Sequence, residues 1–268
     1  MKESGSLAAD RLRVTVLGSS SSIPRPGRAC SGYLVEGGGQ AVIADLGSGA
    51  LANLHRVRSA ESVTAVVISH MHADHFIDLI PMRYALKYGP RTHDRKVPLW
   101  LPPGGSGMLH RMADAFISES PNDFMGEVFE VREYEPQAGL ALGDVRLRFA
   151  PTEHFIPTFA LRCELDDASV TYSADTAPSA AVAELARATG LFLCEATLLP
   201  GECEPGARGH LSAAEAATLA ERADVRRLAL THYPTQTDAA ELLAAASAGF
   251  AGKSLVVDDV DVVEVGPA

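Results

Sequence analysis

Four residues with metal-binding side chains lie within six positions of one segment, HMHADH, directly after a run of β-branched residues. They are His70, His72, Asp74 and His75. His70 and His72 are two apart on an extended segment, so their side chains project to the same side and can bind one metal ion. Asp74 and His75 follow where the next helix opens, and they can face a second ion. Imidazole and carboxylate ligands without cysteine favour Zn²⁺ in a non-structural site, with Mn²⁺ or Fe²⁺ as alternatives.

Further histidines and acids stand at or just beyond the ends of other predicted strands. These residues are Asp45, His154, Asp175, Glu195 and His232. Open α/β sheets collect their active sites at the carboxyl ends of strands, so one pocket could hold these residues together with His70. The alternative, unrelated core or surface histidines, explains a lone histidine well but not this repeated placement.

The elements that must position these residues alternate between β-type runs and helical patterns, which is typical of an α/β fold. Strands are predicted at 13–18, 32–37, 40–47, 63–69, 97–102, 128–135, 145–150, 160–166, 169–174, 191–196, 226–231 and 254–259. Helices are predicted at 76–89, 106–118, 178–189, 212–223 and 237–248. The fourth helix should begin at Ser212, because Ser212 and Glu215 have the spacing of a capping box. GYLVEGGGQAVIAD and RCELDDASVTYS are predicted β-hairpins, and SESPNDFMGE is a predicted loop.

Length and composition predict one domain over residues 1–268 with a substantial core. The first residues, MKESGSLAADRLRV, are polar, and no apolar run is long enough to span a bilayer, which predicts a cytoplasmic protein. The four cysteines lack CxxC spacing and fit reduced thiols. The formal charge of −11 makes a long nucleic acid an unfavourable partner. A small anionic substrate held by metal ions is compatible with that charge.

The residues resemble the metallo-β-lactamase superfamily, whose hallmark H-x-H-x-D-H follows a strand, as the segment from His70 to His75 does here. The superfamily's other motifs occur in the same order, in ADLGSG, YSADT and LTHYP. The resemblance implies a four-layer αββα sandwich of two mixed β-sheets flanked by helices. It also implies two divalent metal ions, and the implied ligands are His70, His72 and His154 for one ion, Asp74, His75 and His232 for the other, and Asp175 as the bridge. Asp45 would be a buried residue behind the ligands.

Two further motifs resemble the ribonuclease Z branch of the superfamily. CEATLLP around Glu195 and RGHLSAAEAATLA around His210 look like its Glu-containing and His-containing motifs. Ribonuclease Z carries a long tRNA-binding arm between the positions that match His154 and Asp175, where this chain has only twenty residues. The missing arm and the acidic charge argue against tRNA processing. The chain is then similar to short bacterial members without the arm, regarded as cyclic-nucleotide phosphodiesterases or as unassigned metal-dependent hydrolases.

The expected function is hydrolysis of a phosphodiester in a small substrate, such as a cyclic nucleotide, by a hydroxide that two metal ions activate. Asp74 would orient the hydroxide, His210 would protonate the leaving alkoxide, and Glu195 would hold the imidazole of His210. The alternatives are a thioesterase or lactonase on the same centre, a tRNA 3′-end endonuclease of the ribonuclease Z type, and a binding protein without turnover. The full ligand set argues against the last of these.

Other polar residues have weaker claims to a role. Three histidines lie away from the predicted strand ends and are interpreted as ordinary residues: His55, His93 and His110. Arg28 and the serines at 19–22 could contact a phosphate or form a surface turn. A segment beyond the ligand cluster could be a substrate wall, a packed helix or the contact of a homodimer, and its prominent residues are Tyr84, Lys87, Tyr88 and Arg91.

Overall fold

Two seven-stranded sheets form the centre of the structure, a computed structural model that describes residues 11–89, 95–116, 124–202 and 204–266. From edge to edge, the first sheet contains β14 (Val262–Val265), β1 (Leu12–Gly18), β2 (Gly32–Gly37), β3 (Gln40–Leu46), β4 (Ala65–Val67), β5 (Val97–Leu101) and β6 (Phe129–Glu133). The second contains β13 (Lys253–Val256), β12 (Arg227–Thr231), β11 (Leu191–Glu195), β10 (Ala168–Tyr172), β9 (Phe159–Leu165), β8 (Val145–Pro151) and β7 (Leu140–Leu142). Each sheet combines parallel and antiparallel pairs, so both are mixed.

Seven α-helices lie among the described residues, mainly on the outer faces of the sheets. They are α1 (Ala50–Val57), α2 (Ala73–Phe76), α3 (Leu79–Tyr88), α4 (Gly105–Asp114), α5 (Ala180–Leu185), α6 (Ala213–Arg222) and α7 (Ala239–Gly249). Helices α1, α3 and α4 share one apolar cluster with the first sheet, and α5, α6 and α7 share another with the second. In these ranges no helix is both long enough and apolar enough to cross a bilayer.

A third apolar cluster joins the two sheets face to face. Val14 and Val42 of the first sheet pack in it with Leu147, Val170 and Leu193 of the second, and all five are at most 2% exposed. Burial of apolar surface on both sides of each sheet accounts for the layer order helix, sheet, sheet, helix. The predicted αββα sandwich is therefore confirmed.

The local turn and cap predictions are also confirmed. Gly38 and Gly39 both have positive φ, 53° and 73°, as the two-residue turn between β2 and β3 requires. β9 and β10 form the second hairpin, in which Leu165 pairs with Ala168. The Ser212 side chain accepts from the backbone N–H of Glu215, and Glu215 returns the bond, so α6 begins with the predicted capping box.

Several predicted bounds differ from the structure for identifiable reasons. The predicted strand 63–69 is only three residues long, because the backbone N–H and hydroxyl of Ser69 bond to the Asp45 carboxylate and not to a neighbouring strand. The predicted helix 76–89 corresponds to α3 at Leu79–Tyr88, and only its first residue, Phe76, belongs to the separate short helix α2, which ends before Ile77–Asp78. The Asp78 carboxylate accepts from the backbone N–H groups of Gly49 and Leu51 at the start of α1. Helix α1 was not predicted, because its start has no side-chain cap.

Some sequence predictions fall outside the described residues. They are the roles weighed for Arg91 and His93, the state of Cys203, residues 118–123 of the predicted loop, and the last two residues of the predicted helix 106–118. The other three cysteines, Cys30, Cys163 and Cys194, are buried free thiols, as expected.

Candidate metal centre

The side chains selected from the sequence meet where strand ends of both sheets come together. The first sheet contributes Asp45 within β3, His70 beyond β4, and Asp74 and His75 on the short helix α2. The second sheet contributes residues that follow or end its strands: His154, Asp175, Glu195 and His232. The fold therefore brings the polar residues at these strand ends together in one place, as the sequence pattern predicted.

One group of ligand atoms belongs to His70, His72, His154 and Asp175, which lie within 4.8 Å of one another. His154 Nε2 is 3.0 Å from His72 Nδ1 and 3.9 Å from Asp175 Oδ2. His70 Nε2 is 3.8 Å from the same carboxylate oxygen. Three imidazole nitrogens and one carboxylate oxygen are a set that could hold one tetrahedral cation.

A second group consists of Asp74, His75, His232 and, again, Asp175. His75 Nε2 is 3.3 Å from Asp74 Oδ2 and 3.3 Å from Asp175 Oδ1. His232 Nε2 is 3.4 Å from Asp175 Oδ2. Asp175 thus borders both groups, and its carboxylate could bridge two ions.

The unpartnered atoms of the cluster agree with cation binding. Among the described residues, His70 Nε2, His75 Nε2 and Asp175 Oδ1 are buried without a hydrogen-bond partner. A buried polar atom without a partner costs free energy of folding. A cation bound in this cluster would satisfy all three atoms at once. Burial lowers the pKa of His70 well below the usual value for histidine, and the charge of His75 lowers it further. Its neutral imidazole therefore keeps a lone pair for a metal, and the donor set fits divalent cations.

Hydrogen bonds behind the cluster orient several of these histidines. Asp45 is fully buried, as the resemblance implied, and its carboxylate accepts from Ser69 N–H at 2.7 Å, from Tyr172 Oη at 3.0 Å and from His75 Nδ1 at 2.8 Å. The bond to His75 points Nε2 of that ring into the cluster. Sequence spacing could not reveal Ser69 or Tyr172 as supports, because only the fold brings them to Asp45.

Three more histidines have their Nδ1 atoms engaged in the same way. The contacts are Ser69 Oγ with His70 Nδ1 at 2.9 Å, Ser31 Oγ with His232 Nδ1 at 2.7 Å, and Gly209 O, which accepts from His154 Nδ1 at 2.9 Å. Each contact leaves Nε2 for the cluster. Ser31 lies in the loop before β2, and nothing in the sequence indicated that it contacts His232.

The backbone is strained at one residue behind the cluster and at one residue in it. Asp45 and His232 have φ of 58° and 49°, in the left-handed region that non-glycine residues seldom adopt. Such conformations cost on the order of 1–3 kcal/mol each and persist only where the surroundings enforce them. Here the hydrogen bonds of Asp45 and the contact between Ser31 and His232 supply that restraint.

His210 stands beside the cluster and is held by Glu195. His210 Nδ1 is 3.0 Å from Glu195 Oε1 and 4.0 Å from Asp175 Oδ2. Glu195 is fully buried, and its carboxylate also accepts from the backbone N–H groups of Thr176 and Leu211. Burial lowers the pKa of His210, but the hydrogen bond and charge of Glu195, with Asp175, outweigh burial and raise it to about 9. Bound cations would lower this pKa again by repulsion.

Other residues weighed in the sequence are engaged elsewhere. Arg28 forms an ion pair with Asp258 and a hydrogen bond with Tyr233 Oη. Tyr84 and Tyr88 stack on each other on α3, with ring centroids 6.2 Å apart. The two other histidines set aside are exposed on α1 and α4, namely His55 and His110.

The sequence matches a known family over most of its length. Residues 42–233 match the beta-lactamase superfamily domain. An uncharacterized protein of Mycobacterium tuberculosis is 33% identical over 243 residues, which cover 90% of this chain and 88% of that protein. Ribonuclease Z of Mycobacterium bovis is 31% identical over 285 residues, covering 96% of this chain and 99% of that enzyme.

Solved structures share the fold. The metallo-beta-lactamase fold protein YhfI from Bacillus subtilis superposes with a TM-score of 0.84 at 24% identity, covering 95% of this chain and 99% of that one. A diphosphatase from the PhnP family superposes with a TM-score of 0.72 at 18% identity, covering 96% and 99%. The chain therefore belongs to the metallo-β-lactamase superfamily of metal-dependent hydrolases and is similar in sequence to ribonuclease Z.

Proposed function

We propose that this protein is a phosphodiesterase that uses two divalent metal ions to hydrolyse a small substrate such as a cyclic nucleotide. The observation that carries the proposal is the pair of His210 and Glu195, with the imidazole 4.0 Å from the Asp175 carboxylate. A proton donor at this place suits an alkoxide leaving group, which departs poorly without a proton. A thiolate from a thioester needs that proton far less.

In this proposal every residue of the two groups is a ligand. The ligands are His70, His72 and His154 for one ion, Asp74, His75 and His232 for the other, and Asp175 for both. Zn²⁺ suits such a set best, and Mn²⁺ or Fe²⁺ could replace it. When bound, two such ions would lower the pKa of a water molecule toward neutrality and offset the developing charge on phosphoryl oxygens.

The protein's own side chains then place the nucleophile and the proton. One Asp74 oxygen faces His75, and the other can accept a hydrogen bond from the attacking water. His210 gives Nδ1 to Glu195 and keeps Nε2 to deliver a proton to the leaving oxygen. Glu195 favours the charged imidazolium before that transfer.

A second candidate, tRNA 3′-end cleavage, is favoured by the similarity to ribonuclease Z along nearly the whole chain. The structure places two short strands between His154 and Asp175, β9 and β10, joined by the turn at Asp166 and Asp167. The formal charge of −11 also opposes binding of a long polyanion. Both observations support a small substrate.

A turnover panel on metal-loaded protein tests the proposal. The substrates are cyclic nucleotides, a nitrophenyl phosphodiester, an acyl thioester, a lactone and a precursor tRNA. We expect hydrolysis of the two phosphodiester classes, and we expect a variant without the shared carboxylate, Asp175→Ala, to lose it. Cleavage of the thioester or lactone alone would overturn the proposal, and cleavage of the precursor tRNA alone would favour the second candidate.

Four points stay predictions: zinc as the native metal, a homodimer, a cytoplasmic location, and one domain over residues 1–268. Metal analysis of protein purified from its own cells, light scattering, cell fractionation and unfolding curves followed by two probes would decide them in turn.

A further inference from the structure

Phe155 is a large apolar residue that is exposed to solvent next to the candidate metal centre. Phe155 is 53% exposed, and its ring centroid lies 5.0 Å from that of His154 and 6.0 Å from that of His210. Neither the ligand groups nor the proton donor uses this ring. Single exposed apolar residues are ordinary on protein surfaces, but this ring lies beside the candidate metal centre and is held in one position.

The Phe155 ring is held in place by its own loop and by Gly209. Its loop is closed by a hydrogen bond from Thr152 N–H to Thr158 O at 3.0 Å, and Ile156 packs against the apolar cluster of the first sheet. The ring itself lies against Gly209, where a Cβ atom would be only 2.4 Å from the nearest ring atom. Gly209 O also accepts from His154 Nδ1, so one glycine supports both the exposed ring and the adjacent histidine.

We propose that Phe155 is the platform on which the base of a nucleotide substrate stacks. The inference rests on the proposed phosphodiesterase function and narrows its substrate class to nucleoside phosphodiesters. A phosphate held between the ion ligands and His210 carries its base one sugar away, and the exposed ring lies beside both His154 and His210. Every base has a flat π face, so one aromatic ring can bind different bases.

The competing occupant of this ring would be an aliphatic or acyl chain. Such a chain needs apolar surface but no π face, so leucine would serve it nearly as well as phenylalanine. A base gains from a parallel aromatic face, which tyrosine supplies and leucine does not. Phe155→Leu and Phe155→Tyr therefore separate the two occupants.

The test compares two ligands that share a phosphate and a sugar but differ in the base. Adenosine 5′-monophosphate and ribose 5-phosphate are titrated into metal-loaded protein by calorimetry. We expect the wild-type protein to bind the first about 5- to 150-fold more tightly, the range that base stacking gives. Phe155→Leu should lose most of this preference and Phe155→Tyr should keep it. Phe116→Leu, which changes a phenylalanine that is 51% exposed and lies outside the site, is the matched control and should behave like the wild type.

Turnover completes the test and separates this inference from the function on which it rests. In Phe155→Leu, KM for a cyclic nucleotide should rise in the same proportion with kcat unchanged, whereas Phe155→Tyr should keep the wild-type KM. An unchanged preference in Phe155→Leu, or an equal loss in Phe155→Tyr, overturns the stacking role. Wild-type turnover of phosphodiesters with no preference for base-bearing ligands overturns this inference alone, whereas no phosphodiester turnover at all overturns the proposed function and this inference with it.

Discussion

Replacement of His210 by alanine tests the chemical role of the pair that it forms with Glu195. The substitution removes a ring whose Nδ1 is 3.0 Å from Glu195 Oε1, while the ring is not needed to complete either group of proposed ligands. We therefore expect His210→Ala to retain two equivalents of metal and to bind substrate. What should fall is the rate of bond cleavage when the leaving group is a poor one.

The fall in kcat depends on how strongly the leaving group needs a proton. A positioned general acid contributes about 10²- to 10⁴-fold, so kcat for a cyclic nucleotide, which releases a ribose alkoxide, should fall by that factor. This corresponds to about 2.7–5.4 kcal/mol in the activation free energy. Nitrophenolate is stable without a proton, and kcat for a nitrophenyl phosphodiester should fall by less than about tenfold. The fall in kcat for a cyclic nucleotide should be smaller in Glu195→Gln than in His210→Ala. The glutamine amide can still position the imidazole ring, but it does not stabilise the charge of that ring.

The assay is steady-state kinetics on both substrates, with metal content measured on the same samples. His55→Ala, which removes an exposed histidine on α1, is the matched control and should be unchanged on both substrates. Equal losses on the two substrates in His210→Ala would refute the proton-donor reasoning. Loss of metal in that variant would instead mean that His210 supports the ligands, which would refute it as well.

Three further predictions concern the support of the centre. Asp45→Asn should weaken metal binding by about 10- to 100-fold, because it alters the partner that orients His75; competition against a coloured chelator measures this, and unchanged affinity would contradict it. Removal of metal by a chelator should lower the thermal midpoint, and free metal at about 100 times its Kd should add about 2.7 kcal/mol to the free energy of unfolding; equal midpoints would contradict cation binding. Gly47→Ala should cost about 1–3 kcal/mol or more in urea unfolding, because its Cβ would lie 1.8 Å from the Asp74 carbonyl oxygen, whereas Gly107→Ala, with its nearest atom at 3.6 Å, should not destabilise the protein.

The residues that the structure gathers at the candidate metal centre could be chosen from the sequence because their placement follows a local rule. His70 and Asp175 each follow a short β-type run, and a strand delivers the residue after its end to the sheet edge whatever its partners are. The capping box at Ser212 and the Gly38–Gly39 turn are equally local, since each depends on the backbone of a few neighbouring residues. Such features do not depend on how distant parts of the chain pack.

The supports and some elements could not be predicted because long-range contacts decide them. Tyr172 bonds to Asp45 across 127 positions of sequence, and Ser31 reaches His232 across 201. β14 was not predicted either, and it joins β1 of the first sheet although β13, just before it, belongs to the second. Neither periodicity nor motif spacing contains the information that brings such partners together.

The division of the cluster between two sheets would couple exchange of a bound ion to motion of the whole sandwich. His70, His72 and His75 follow β4 of the first sheet, whereas His154 and Asp175 follow β8 and β10 of the second, so a cation bound by residues of both sheets would join the two layers. An ion could then leave only as fast as that edge of the sandwich opens. Backbone amides of β4 and β10 would exchange with deuterium through the same opening, so the metal would slow exchange in both sheets together, and the two rates would report one event.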